Sequence, residues 1–127
     1  MKSNKLKSIK KILEKRKVLL VNPRRSTTTN QVPHMGLAIL ASILKKRGHE
    51  VFVVDYNLIP TAQNISFFIG KFKPDVVGVT IYTANTKEAD RIIDAVHKIS
   101  PNIPLMVGGP HPTLYADELQ KDKRIDY

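Results

Sequence analysis

Short apolar runs alternate with amphipathic stretches along most of this sequence. Four runs predict strands, and they span residues 18–21, 51–55, 75–80 and 104–109. The first of them is continuously apolar, which is typical of a strand buried on both faces of a sheet. Stretches with apolar residues at helical spacing predict helices at about 37–47, 61–72 and 86–99, and a short one at about 113–119. A fifth strand is expected to begin at 125–127.

Strands that alternate with helices through short connections predict right-handed crossovers and a parallel sheet covered on both faces. We therefore expect a three-layer, open parallel α/β fold of the flavodoxin-like or Rossmann-like kind. The expected strand order is 2-1-3-4(-5), with the fifth strand truncated.

Local signals define the ends and faces of the helices. Gly48 follows a lysine-rich helix end and suits the left-handed residue just past it. Asn85, with Glu88 three residues on, fits a capping box at the third helix. The first helix is expected to turn one side inward, and that side carries Leu37, Leu40, Ala41 and Leu44.

The net charge of +10 is concentrated at the N-terminus, since residues 1–17 hold eight basic side chains and one acidic one. We expect residues 1–16 to be a basic extension, either a short amphipathic helix or a frayed tail, and residues 17–127 to be the folded domain. No aromatic residue accompanies the basic ones, so specific nucleic-acid recognition is not indicated. An interaction module that uses this extension on anionic partners is one alternative function.

The sequence contains no cysteine, which excludes disulfides, thiolate metal sites and an iron–sulfur cluster held by this chain. This composition fits a cytoplasmic location. No apolar run reaches the length of a membrane span, so no transmembrane segment is expected.

Ligands of such folds bind beyond the carboxyl ends of the strands, so the turns there are the candidate site. The turn after strand four offers two glycines without side chains, although paired glycines also mark tight turns. Hydroxyls crowd the turn after strand three, where helix capping is the alternative explanation. A lone histidine follows strand one and could bind a metal, although such a histidine without a second ligand nearby in sequence is more often structural or solvent-facing. The candidate residues are Pro33, His34, Met35, Gly36, Thr80, Tyr82, Thr83, Gly108, Gly109 and His111.

Several nucleotide-binding motifs are missing. The first turn lacks the glycines of a dinucleotide fingerprint and those of a phosphate-binding P-loop, although Asp55 ends strand two where a ribose-binding acid would stand. The acidic cluster of a response regulator is also absent. Residues 26–30 are rich in hydroxyls like the phosphate loop of flavodoxins, so a domain that binds flavin mononucleotide is the second alternative.

Taken in order, five segments resemble the cobalamin-binding domain found N-terminal to many radical S-adenosylmethionine enzymes. These segments are residues 18–23, 33–41, 46–51, 74–80 and 104–113, and together they cover about residues 17–127. The resemblance implies a cobalamin-binding module that is not catalytic alone. It implies that S-adenosylmethionine and an iron–sulfur cluster belong to a radical catalytic domain absent from this chain.

The resemblance also assigns roles to the candidate residues. It implies that Thr80, Tyr82 and Thr83 hydrogen-bond the nucleotide tail or the corrin amides, and that Gly108 and Gly109 make room for the base. The segment 33–37 would face the lower side of the corrin ring.

Two departures from the family pattern stand out. The Asp-x-His-x-x-Gly motif of better-known cobalamin domains is absent, because Val32, His34 and Leu37 occupy its three positions. A histidine lower ligand to cobalt is therefore not implied, and His34 is only a weak candidate. The chain also ends where the family usually continues through a fifth strand, so we expect a C-terminally truncated domain.

Overall fold

The structure is a computed structural model that describes residues 14–25, 32–59 and 63–127. Its centre is a four-stranded parallel sheet with the order β2-β1-β3-β4, which confirms the predicted topology. The strands are β1 (Lys17–Asn22), β2 (Glu50–Asp55), β3 (Val76–Thr80) and β4 (Leu105–Gly108). The helices are α1 (Met35–Lys46), α2 (Ile65–Phe72), α3 (Thr86–Ile99), α4 (Pro110–Leu114) and α5 (Ala116–Leu119).

The larger part of the core lies on the sheet face covered by α2 and α3. Strand residues of alternating position point to this side and pack against the apolar stripes of the two helices. The set includes Leu19, Val21, Val77, Val79 and Leu105 from the strands, and Ile65, Ile69, Ala89, Ile93 and Val96 from the helices. Helices α2 and α3 therefore turn their apolar faces to the sheet.

The opposite face of the sheet is covered by α1 alone among the described helices. Leu37 and Ala41 pack there against Val18, Leu20 and Val51. The prediction that Leu40 faces inward is wrong, because half of its surface is exposed. Helical periodicity locates an apolar stripe, but α1 covers only part of the sheet and leaves one flank of that stripe without a neighbour.

Local sequence signals explain the end of α1 and the beginning of α2. Gly48 has φ of +89°, as predicted for the residue after a helix. Helix α2 begins at Ile65 because the Asn64 side chain accepts a hydrogen bond from the backbone N–H of Phe67, whereas residues 60–62 lie outside the described part. The short helix predicted at 113–119 is instead two helices, α4 and α5, separated at Tyr115.

Residues 125–127 run beside β4 without forming a full strand. The backbone N–H of Asp126 donates to the carbonyl of Leu105 at 2.9 Å, and the N–H of Val107 donates to the carbonyl of Tyr127 at 2.8 Å. The beginning of a fifth strand was expected at this place, and the hydrogen bonds show that the segment pairs with the outer edge of β4.

Most of the basic extension, residues 1–13, lies outside the described residues, so the two interpretations of it and the boundary at residue 17 stay predictions. In the described ranges, no helix combines the length and the apolar character needed to cross a membrane.

Candidate functional site

The buried carboxylate of Asp55 joins three elements at the carboxyl edge of the sheet. Its Oδ1 accepts hydrogen bonds from Asn22 Nδ2 at 2.9 Å and from the backbone N–H of Asn57 at 3.0 Å. Its Oδ2 accepts from the backbone N–H of His34 at 3.1 Å. A charged acceptor with several donors is a strong junction, so the ends of β1 and β2 and the start of α1 are held together.

The loop after β1 is fastened to the loops after β2 and β3. The carbonyl of Pro23 accepts from Asn57 Nδ2 at 3.1 Å and from Asn85 Nδ2 at 3.2 Å. Asn57 Oδ1 accepts in turn from the backbone N–H of Arg25 at 2.9 Å. Two asparagine side chains therefore connect three neighbouring turns.

The capping box predicted for Asn85 is wrong. Its Oδ1 accepts from the backbone N–H of Tyr82 at 2.8 Å rather than from the first turn of α3, and the side chain is buried. Glu88, the other half of the expected box, pairs with Arg91. The side chain serves contacts between loops, which a local sequence pattern does not reveal.

His34 stands at the N-cap position of α1 and reaches across to β3. Its Nδ1 accepts a hydrogen bond from the backbone N–H of Leu37 at 3.1 Å. Its Nε2 lies 3.0 Å from the Tyr82 hydroxyl and 3.5 Å from Thr80 Oγ1. A Cβ at Gly36 would lie 3.0 Å from His34 Cε1, so this glycine leaves space for the imidazole ring.

The ring of Tyr82 is the centre of this cluster. The Arg25 guanidinium lies over its face at 4.6 Å from the ring centroid, a cation–π arrangement. The His34 ring lies on another side, with 5.7 Å between ring centroids. Residues from the loops after β1 and β3 and from the start of α1 therefore meet at one point.

The two glycines of the last turn play different parts. A Cβ at Gly108 would meet no atom within 4 Å, so this position opens into free space. Gly109 has φ of +102°, and a Cβ there would lie 2.8 Å from Thr80 Oγ1 and 3.0 Å from the carbonyl oxygen of Ile81. The missing side chain of Gly109 therefore makes room for β3, whereas Gly108 leaves space that a ligand can use.

A second pair of predicted residues joins the loop after β3 to α4. His111 Nδ1 lies 3.2 Å from Thr83 Oγ1, and the backbone N–H of His111 donates to the carbonyl of Ile81 at 3.1 Å. The His111 ring lies against that of Tyr115, with 4.6 Å between centroids and a tilt of 33° between the ring planes. With this pair, hydrogen bonds connect the loops after β1, β2 and β3 and the turn after β4, and we call these connected segments the row of joined loops.

On the α1 side of the sheet, next to these loops, α1 leaves the surface of β4 uncovered, and we refer to the space between this surface and the flank of α1 as the cleft. Gly78 and Met106 are paired in register with Leu20, which packs under α1, so they share its face and form the floor. Met106 is 45% exposed, because α1 covers β1 and β2 but not β4. Gly36, Leu40 and Ile43 follow each other at i, i+4 and i+7 on an exposed flank of α1, and Gly36 adjoins the His34 ring that reaches β3, so we infer that this flank is the wall of the cleft.

Two half-open pockets occur elsewhere among the described residues. One of about 280 Å³ is lined by Val107, Leu119, Ile125 and Tyr127, and one of about 210 Å³ lies between α3 and the C-terminal segment. Of the predicted site residues, only His111 borders either of them. No residue of α1 lines either of them, so they lie apart from the cleft.

The structure thus brings His34, Thr80 and Tyr82 into one cluster at the mouth of the cleft, with Gly108 beside Thr80 in register. Thr83 and His111 form a separate pair, and Pro33 and Met35 are exposed. A side chain at Gly36 would crowd the His34 ring, and one at Gly109 would crowd Thr80 and Ile81, so both glycines are explained by neighbouring protein atoms. Among the residues the structure describes, no group of three or more His, Cys, Asp or Glu side chains could hold a metal ion.

Five residues that tie the loops together were not among the candidates: Asn22, Arg25, Asp55, Asn57 and Asn85. Asn22 and Asn85 are almost completely buried. A polar residue that ends a buried strand is a signal for such a role, and it could have identified Asn22. The roles of Arg25 and Asn85 depend on contacts with distant loops.

The family is established by a match over most of the chain. A family model described as the B12 binding domain matches residues 22–127. The chain therefore belongs to the B12 binding domain family, and its cofactor is cobalamin. The flavin alternative finds no support in this match, and residues 26–30, on which it depended, lie outside the described part.

Curated relatives are similar over most of this chain. An uncharacterized methyltransferase of Pyrococcus horikoshii is 34% identical over 76% of the chain and 22% of its own length. The cytidylyl-2-hydroxyethylphosphonate methyltransferase of Streptomyces wedmorensis is 25% identical over 87% of the chain and 25% of its own length. The anaerobic magnesium-protoporphyrin IX monomethyl ester cyclase of Rubrivivax gelatinosus is 28% identical over 87% of the chain and 21% of its own length.

Solved structures share the fold. The radical S-adenosylmethionine methyltransferase TsrM from Kitasatospora setae, with tryptophan substrate and a SAM analog bound, has a TM-score of 0.62 at 24% identity over 74% of this chain and 19% of TsrM. The same enzyme with cobalamin and a [4Fe-4S] cluster bound has a TM-score of 0.58 at 24% identity over 76% of this chain and 18% of TsrM. The chain spans about a quarter or less of the length of the curated relatives it matches.

Proposed function

We propose that this chain is the cobalamin-binding module of a radical S-adenosylmethionine enzyme of the methyltransferase type, and that it is not catalytic alone. Two of the relatives named above are methyltransferases, and the structural neighbour is a radical S-adenosylmethionine methyltransferase. The described chain has no cysteine to bind a cluster. We therefore assign S-adenosylmethionine and the iron–sulfur cluster to a separate catalytic domain, which is the proposed partner of this chain. The proposed location of the whole protein is the cytoplasm.

The observation that carries this proposal is the open cleft with a row of joined loops at its mouth. The corrin ring would rest on that row, above His34 and its neighbours in the segment 33–37. The nucleotide tail would enter beside Gly108, where an added side chain meets no protein atom. Hydroxyl donors at the mouth, on Thr80, Tyr82 and Thr83, suit the amide and phosphate oxygens of such a tail.

When bound, cobalamin supplies a cobalt atom that carries a methyl group or assists another radical rearrangement. This chain contributes binding and orientation. It binds the tail in a cleft between sheet and helix and holds the lower face of the ring against loops that its own side chains connect. Residues 17–127 are the proposed domain, with the basic extension before it.

A titration of the full chain with cobalamin, followed by visible absorbance and calorimetry, tests the proposal. Gly108→Phe is the informative variant, because the fold has space for the new ring and the ring fills the entrance of the cleft. Gly70→Phe is the matched control, since Gly70 also has no atom within 4 Å of its Cβ position but lies exposed on α2, on the other side of the sheet.

We expect saturable binding to the wild-type chain, a loss of at least about tenfold in affinity for Gly108→Phe, and no change for Gly70→Phe. Equal losses in both variants would contradict the assignment of the cleft. Saturable binding of flavin mononucleotide in place of cobalamin, visible from its distinct spectrum, would contradict the proposed function itself.

A further inference from the structure

We infer that His34 acts as a fixed hydrogen-bond donor to Tyr82 and not as a ligand of cobalt, and that the Tyr82 hydroxyl consequently donates its own proton to an acceptor oxygen of the bound cofactor. This inference rests on the proposed cobalamin site and adds the direction of its hydrogen bonds. It makes His34 a positioning residue and Tyr82 a residue that contacts the cofactor.

The helix cap determines the position of the imidazole proton. Nδ1 of His34 accepts from the backbone N–H of Leu37 at 3.1 Å, so Nδ1 presents its lone pair and carries no hydrogen. A neutral imidazole has one N–H, which must then be on Nε2. The cap thus selects the Nε2–H tautomer of His34.

The proton on Nε2 determines the direction of the next hydrogen bond. Of the two hydroxyls near Nε2, that of Tyr82 is at 3.0 Å, a good distance, whereas Thr80 Oγ1 at 3.5 Å is at the limit. His34 therefore donates and Tyr82 accepts. Since the Tyr82 hydroxyl has no other hydrogen bond within the described ranges, its own proton is available to a ligand.

The same tautomer disfavours cobalt ligation by His34. A metal needs a lone pair on one ring nitrogen, but Nδ1 uses its lone pair for the cap and Nε2 bears the proton. Ligation through Nε2 would require a proton on Nδ1, which would abolish the bond from Leu37 and leave the N-cap of α1 without its acceptor.

The surroundings keep the tyrosine ring in place. Arg25 lies over its face, and the backbone N–H of Tyr82 donates to Asn85, which is buried and bound to Pro23. The hydroxyl is therefore directed by contacts on several sides. Cobalamin offers two kinds of acceptor oxygen to such a donor: the amide carbonyls of the corrin ring and the phosphate of the nucleotide loop.

The first experiment measures the tautomer directly, without any ligand. Nitrogen-15 NMR of the histidine side chains in the full chain distinguishes the Nε2–H from the Nδ1–H form, and the spectrum of His34→Asn assigns the signals. We expect His34 in the Nε2–H form. The Nδ1–H form would overturn the inference whether or not the chain binds cobalamin.

The second experiment separates the cap from the hydrogen bond to Tyr82. Asparagine is among the best N-cap residues but is too short to reach Tyr82, so His34→Asn keeps the helix start and removes the donor. We expect a loss in cobalamin affinity of about three- to tenfold for His34→Asn and for Tyr82→Phe. His34→Asn in the Tyr82→Phe background should cause no further loss, and His97→Asn on α3 is the control.

The visible spectrum of the bound cofactor and a truncated ligand complete the test. His34→Asn should leave the cobalt spectrum unchanged, and a shift typical of a lost axial nitrogen would overturn the inference. Additive losses in the double variant would also overturn it. Tyr82→Phe should weaken cobinamide binding too if the acceptor is a corrin amide, but only cobalamin binding if the acceptor is the nucleotide phosphate. If the wild-type chain bound no cobalamin, the proposed function would fail while the tautomer result stood.

Discussion

Substitution of Gly109 by alanine tests whether the glycine in the turn after β4 is required by the close approach of β3 or by a ligand. Gly109 has φ of +102° and ψ of −175°, a region that is almost exclusive to glycine and costs other residues about 1–3 kcal/mol. The new Cβ would also lie 2.8 Å from Thr80 Oγ1 and 3.0 Å from the Ile81 oxygen.

The backbone that the new Cβ meets has little freedom to move. The carbonyl of Ile81 accepts from the N–H of His111 at 3.1 Å, and the N–H of Ile81 donates to the carbonyl of Gly108 at 2.8 Å. Steric overlap against such a structure adds about 1–3 kcal/mol. We expect Gly109→Ala to lower the free energy of unfolding by about 2–6 kcal/mol, the sum of the two costs, which is a large share of the about 5–15 kcal/mol usual for a domain.

Urea unfolding followed by circular dichroism measures this loss, with the m-value as a check that the unfolded states are comparable. Gly108→Ala is the adjacent control, because its Cβ meets nothing within 4 Å and alanine in a strand gains about 0.5–1 kcal/mol over glycine. If Gly109→Ala were as stable as Gly108→Ala in the absence of ligand, the steric explanation would be refuted.

Three further predictions concern other contacts. Asn85→Ala should cost about 1–3 kcal/mol in urea unfolding while amide exchange in the first turn of α3 stays unchanged, because Asn85 bonds loops and not the helix. Burial raises the pKa of Tyr56 to about 12, so one phenol should titrate late by ultraviolet absorbance, and the stability it contributes should be present below pH 10 and fall as pH rises towards 12. Hydrogen bonds from Arg124 lower the pKa of Asp122, so Arg124→Met should raise that pKa in an NMR titration. The stability that the lowered pKa provides is present above the ordinary value of 3.8 and is lost as pH falls below it, and the variant should lack this contribution.

Sequence reasoning was most successful where the signal is an apolar run or a local turn. The runs that became β1 to β4 are predominantly apolar, and their alternation with helices leaves few topologies, so the sheet order could be predicted. Gly48 could be recognised because a helix end restricts the residue after it. The row of turns at the carboxyl edge followed from the parallel order alone.

The misses have one physical cause, which is that the decisive partner is distant in sequence. Asn85 looks like a cap until Pro23 is placed 3.2 Å from its amide. Gly109 looks like space for a ligand until Thr80 and Ile81 occupy that space. Leu40 has the helical spacing of a core residue, yet no described element covers that flank of α1. In each case the local pattern shows which interactions a residue could make, and the packing of distant elements determines which of them it makes.

The carboxylate of Asp55 has a consequence for the speed of binding. Its hydrogen bonds to Asn22, Asn57 and the backbone of His34 set the relative positions of two strand ends and one helix start before any cofactor arrives. Because these strand ends and the helix start are already ordered, the protein needs no slow rearrangement when cobalamin binds. In rapid mixing, the observed association rate should therefore rise in proportion to cobalamin concentration without reaching a plateau, and Asp55→Ala should introduce one.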